Sequence, residues 1–129
     1  VPDADEFLKT FIRQHLLNLH TAMPARIVSY DEAEKRATIQ PLHMTKEVGR
    51  PPQELPVVQN VPVLTQRFRM EGGEPREYVP VYQPGDIVFV AFSERALDAV
   101  LAGGGRPVLP DSGRHHSLND AVVLGRLVL

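Results

Sequence analysis

The sequence predicts a mainly β domain: a small barrel of five short strands, with an amphipathic helix at its N-terminal end and a shorter helix near its C-terminal end. Three observations carry this. Short apolar runs alternate with turn residues, and twelve prolines are scattered through 129 residues, which suits many short strands better than long helices. Only one stretch, at the N-terminus, holds apolar residues at a sustained helical spacing. The run Ile87 to Phe92 is apolar at all six positions, so it lacks the alternation of a strand with one wet face. In a small barrel one face of that strand looks into the core. The other needs a helix or a second chain.

The elements follow in order. Asp3 to Thr21 reads as a helix, with Phe7, Leu8, Phe11, Ile12, Leu16 and Leu19 on one stripe. Asp3 is its expected N-cap, with Glu6 three residues on as in a capping box, and Asp5 and Glu6 suit the positive end of the helix dipole. Pro24 ends it. The stripe either packs on the parent domain or docks on a neighbouring chain. Ala25 to Tyr30 and Arg36 to Met44 form a hairpin around the polar turn 31–35, with Ala37, Ile39 and Pro41 on one face. Thr45 to Pro56 is a charged loop, and Val57 to Leu64 is a third strand in which Pro62 marks an edge or a bulge. Arg67 to Arg76 is a hairpin tip or open loop around Gly72 and Gly73. Pro84 and Gly85 turn the chain into the strand Ile87 to Phe92. Ser93 is the expected cap of a short helix, Glu94 to Ala102, which Gly103, Gly104 and Gly105 end. Val108 to Asn119 is a polar loop and Ala121 to Leu129 the last strand. Five strands with two helices fit an OB-like Greek key barrel. The expected division is a helix over 1–22 and a barrel over 23–129.

Composition narrows the function. At 43% the apolar share is that of an ordinary globular domain, which excludes general disorder. A net charge of −2 lacks the basic excess of a general nucleic-acid binder. The chain has no cysteine, so neither disulfides nor thiolate metal ligands enter the argument. No apolar run approaches the length of a membrane helix. The last nine residues, Ala121 to Leu129, are almost all apolar. Such a segment is expected to be paired and covered by other chains, or continued by further polypeptide.

A series of phrases carries a family resemblance: Leu19 to Tyr30, Ala37 to Leu42, Leu55 to Leu64, Pro84-Gly85-Asp86 running through the apolar strand to Asp98, and Arg114 to Ala121. In this order they resemble the N-terminal domain of central spike proteins from the baseplates of contractile-tailed bacteriophages. The resemblance implies an OB-fold domain that forms a homotrimer and attaches the spike to the hub above. In the family this domain leads into a β-helical needle with a metal-holding apex. Neither needle nor apex has a counterpart in these residues, so the resemblance implies the adaptor part.

Chemical motifs are few. His115 and His116, with Asp111 and Asp120 nearby, could suggest a metal, but adjacent histidines on an extended segment point apart. Local or intersubunit hydrogen bonds from Arg114, His115 and Asp120 explain the loop more simply. His15, His20 and His43 have no visible partner in the sequence, although His20 near a helix end suits the dipole. Ser93 reads as a cap rather than a nucleophile, and no Gly-x-Ser-x-Gly elbow or phosphate loop is present. Glu71 and Glu74 read as a solvated pair at a loop tip. No enzyme activity, cofactor or metal is expected. The competing reading is an OB-fold that binds single-stranded nucleic acid through Phe68, Tyr78 and Tyr82 with Arg67, Arg69 and Arg76. The favoured expectation is a structural virion protein, a trimeric spike adaptor of a contractile phage tail or related injection device, made in the host cytoplasm. Its expected partners are two sister copies, the baseplate hub, a separate tip protein and, transiently, the host outer membrane, with no nucleic acid. Expected trimer contacts are Val88, Val90 and Phe92, or the alternate set Ile87, Phe89 and Ala91, together with Val123, Leu127 and Leu129. Phe7, Leu8 and Phe11 are expected to dock on the hub.

Overall fold

The alternation of buried and exposed side chains decides which face of each strand is inside. The structure, a computed structural model, describes residues 3–110 and 112–129. Its elements are α1 (Ala4–Leu17), β1 (Ala22–Asp31), β2 (Arg36–Pro41), β3 (Met44–Thr45), β4 (Gln53–Glu54), β5 (Val58–Pro62), β6 (Gln66–Phe68), β7 (Arg76–Tyr78), β8 (Ile87–Phe92), α2 (Asp98–Ala102) and β9 (Ala121–Arg126). The class is mainly β, as the sequence predicts.

Five strands form one antiparallel sheet in the order β5-β2-β1-β8-β9. The β1–β2 hairpin is set by its turn. The Asp31 carboxylate accepts the Glu34 amide N–H at 3.1 Å, and Lys35 takes the left-handed conformation that closes the reversal. Irregularities at Ile27/Ser29 and at Phe89/Val90 bend the sheet. It curls into a half-barrel whose two edge strands touch at one parallel bridge, Val63 to Val123, where the Leu64 N–H donates to the Val123 carbonyl at 3.1 Å. The concave face holds the core: Ile27, Ile39, Val61, Val88, Val90 and Val123 are the largest apolar side chains that are fully buried. Aliphatic and β-branched side chains dominate, which fits a tightly curved sheet.

Two small hairpins project from this body. β3 pairs with β4 inside the expected charged loop, and β6 pairs with β7 around the tip at Met70 to Gly73. The second strand is shorter than expected, because it ends at Pro41 and Met44 belongs to the small hairpin.

Asp3 caps α1 as expected, accepting the Glu6 N–H at 2.8 Å. No residue of α1 is buried, so its stripe does not pack on the parent domain. The second helix differs from expectation. It spans Asp98–Ala102 only, and Ser93 does not cap it. Residues 93–97 are drawn instead into pairing with the 112–120 loop: the Ser93 N–H donates to the Asp120 carbonyl at 2.9 Å, and the Ser93 carbonyl accepts from His116 N–H at 3.1 Å. The helix starts where that pairing stops. Gly104, at φ +65, ends it.

Candidate functional site

The outer face of β1, β8 and β9 is the surface that the fold leaves unexplained. In β8 the inward residues are Val88, Val90 and Phe92, and the outward ones are Ile87, Phe89 and Ala91. Register places Pro24 and Gly125 on either side of Phe89, and Ala22 and Val122 on either side of Ala91. Leu124, at the irregularity in β9, adds a further exposed apolar side chain. The face is therefore apolar across three strands. Phe89 at its centre stays 39% exposed, and no residue of either helix is buried. Arg26 flanks Ile87 and brings charge to that end.

This corrects part of the expected trimer contact. Val88, Val90 and Val123 are fully buried in the core of one chain and Phe92 nearly so, which leaves no side-chain surface for a sister copy. The alternate set, Ile87, Phe89 and Ala91, is the accessible one. Leu127 and Leu129 follow β9 and are exposed, with the Leu127 N–H donating to the Ile87 carbonyl at 2.8 Å. Phe7, Leu8 and Phe11 are exposed on α1, where Phe7 stacks on Phe11 and Phe11 meets the His15 ring edge-on at 4.3 Å. Sequence reasoning missed Ala22, Pro24, Val122 and Leu124. Their signal lay in register: Ala25 and Ile27 must face inward around the charged Arg26, so β1 shows its even-numbered residues on the side where β8 shows its odd-numbered ones.

A polar cluster fastens the opposite end of the sheet. Asp120 is 1% exposed, yet its carboxylate accepts two bonds from the Arg114 guanidinium at 3.0 Å and one from the Leu97 N–H at 3.1 Å. Arg114 also donates to Asp98 at 3.0 Å, and hydrogen bonding to Asp120 first and Asp98 second raises its pKa. A buried carboxylate is tolerated only with such bonding. The cluster pins the start of α2 to the 112–120 loop, so its chemistry is structural. Of the expected group, His115 instead forms a backbone bridge with Arg95, and Asp111 lies outside the described residues. His20 leans on Phe92, with ring centroids 5.7 Å apart, and burial lowers its pKa. A shallow cleft of about 500 Å³ runs past His20, Val58, Arg114 and His115. Its one arginine is already engaged by two carboxylates. Among the described residues no three His, Asp or Glu side chains converge as metal ligands would.

The aromatic and basic residues considered for nucleic acid are not assembled into a groove. Phe68 and Tyr78 stack on each other at 3.9 Å across the β6–β7 hairpin, and Arg67 stands opposite Glu77 in the ladder. Tyr82 turns inward against Tyr30 at 5.3 Å. Burial, then the neighbouring Tyr30 and Asp86, raise its pKa.

No curated protein matches the chain. A family does: the description "Phage protein Gp138 N-terminal domain" fits residues 23–125, from the second residue of β1 to the next-to-last residue of β9. The half-barrel and its uncovered face are thus the matched part, and the chain belongs to the phage protein Gp138 N-terminal domain family.

Proposed function

We propose that the chain is the trimeric adaptor of a phage tail spike, placed at the baseplate and linking the tail hub to the membrane-piercing tip. The single observation that carries this reading is the apolar outer face of β1, β8 and β9. A monomer that leaves such a face in water carries an association site, and closed rings are the usual way in which identical copies use one. The strand order, with the parallel bridge from Val63, just past β5, to Val123 in β9, supports an OB-like five-stranded Greek key barrel as the unit that repeats around the axis. The work is mechanical: sister copies hold one another by burying apolar surface, and the exposed residues 127–129 beyond β9 lie on the side of the tip. No enzymatic step is part of it. Gold-labelled antibody against the chain should decorate the tail end of the phage particles that carry it. Label confined to the capsid, or absent from purified particles, would contradict the baseplate assignment.

A further inference from the structure

Two apolar surfaces of this chain lie uncovered, and they are complementary. One is the stripe of α1, where Phe7, Leu8, Phe11, Ile12 and Leu16 are each about half exposed or more. The other is the outer face of β8 and its neighbours, centred on Phe89. The stripe is built from the pairs Phe7/Leu8 and Phe11/Ile12, four residues apart, with Leu16 four residues beyond Ile12, so it spans about half of the helix surface. A coiled-coil seam uses a narrower two-in-seven pattern, whereas a broad stripe suits a sheet.

Dimensions and charge agree. Fourteen helical residues span about 21 Å, and the six residues of β8 about 20 Å. The first turn of the helix is acidic, with Asp5 and Glu6, while Arg26 flanks the Ile87 end of the sheet face. The helix does not cover its own sheet, since none of its residues is buried. In the connector after α1 the His20 N–H donates to the His116 carbonyl at 3.3 Å, and the Thr21 carbonyl accepts from the Phe92 N–H at 3.0 Å. These anchors leave only Asn18 and Leu19 between the fixed connector and the end of α1.

We infer that α1 of one copy lies across the outer face of β8 in a neighbouring copy, with Phe11 near Phe89. The inference rests on the trimer reading above and names what the trimer contact is. A contact between two different surfaces is head-to-tail, and three of them close a ring with no free site left over. It also gives the helix a role other than docking on the hub.

Cross-linking tests it on the full chain, which has no native cysteine to interfere. The double variant Phe11→Cys/Phe89→Cys, treated with a short bifunctional maleimide, should shift on a denaturing gel from one chain to three. Each single variant should stay at one chain. Covalent dimers from Phe11→Cys alone would mean that the helices bundle with one another, and would overturn the inference. So would a product of one chain with both thiols joined, which would mean that the helix folds back. So would the absence of cross-links in a sample that light scattering reports as trimeric. Scattering by a monomer of the unsubstituted chain would remove the trimer reading itself, a separate failure; a variant that turns monomeric where the unsubstituted chain is trimeric supports the contact.

Discussion

Replacing Phe89 by alanine separates the two roles that the structure gives to neighbouring residues of β8. Phe89 points outward and is 39% exposed, while Val90 points inward and is fully buried. A phenylalanine side chain buries roughly 200 Å², so about 80 Å² of it remains for a partner to cover, worth about 2 kcal/mol at about 25 cal/mol per Å². Allowing for the methyl that alanine keeps, the loss is about 1.5 kcal/mol per subunit and about 4.5 kcal/mol for three contacts. That weakens the three-body dissociation constant by about three orders of magnitude, and moves the concentration of half-dissociation by about 40-fold, its square root. Sedimentation velocity over a dilution series reads this directly. Val90→Ala provides the contrast: it should lower the unfolding midpoint through lost burial and an internal cavity, by about 2 kcal/mol. If Phe89→Ala leaves the association midpoint unmoved while the protein stays folded, the outer face is not the contact. If it instead destabilises the single chain as much as Val90→Ala does, Phe89 is a core residue and the reasoning fails.

The effects of substitutions at four further positions are set by the local geometry. Asp120→Ala leaves the Leu97 N–H without its acceptor and should cost about 3 kcal/mol in denaturant unfolding; Asp120→Asn, which can still accept that bond, should cost less. Gly85 sits at φ +95 in the turn before β8, where a side chain is strained although nothing crowds a Cβ, so Gly85→Ala should cost about 1 kcal/mol. Gly125→Ala lacks that strain and meets an open position, so its unfolding midpoint should stay level or rise slightly. Burial of His20 holds its pKa below the ordinary value of 6.5, so the unfolded chain takes up a proton there more readily than the folded one. Its contribution is full above pH 6.5 and is lost as the pH falls through the lower folded value; His20→Gln should flatten that part of the stability–pH curve.

Local rules are legible in this sequence where one residue decides a turn or a cap. Asp3 caps α1, Pro84 and Gly85 introduce β8, and Gly104 ends α2, because each acts through its own backbone conformation or side-chain reach. The double-sided apolar character of Ile87 to Phe92 was legible for the same reason. Which side faces inward was not, because six consecutive apolar residues carry no parity of their own. The parity comes from register against Arg26 and Gly125, a long-range property. Ser93 was misread as a cap because its backbone partners, Asp120 and His116, lie more than twenty residues downstream. The same distance concealed the bond from Leu97 to the Asp120 carboxylate, although Arg114 and Asp120 were legible as members of a hydrogen-bonded loop.

The central claim is that the apolar face around Phe89 is made to be covered by sister copies. Multi-angle light scattering of the purified full chain measures this most directly. Three chains of 14.4 kDa in a closed ring give a particle of about 43 kDa, and that is the mass expected across the working concentration range. A folded particle of one chain mass that persists on concentration would contradict the claim.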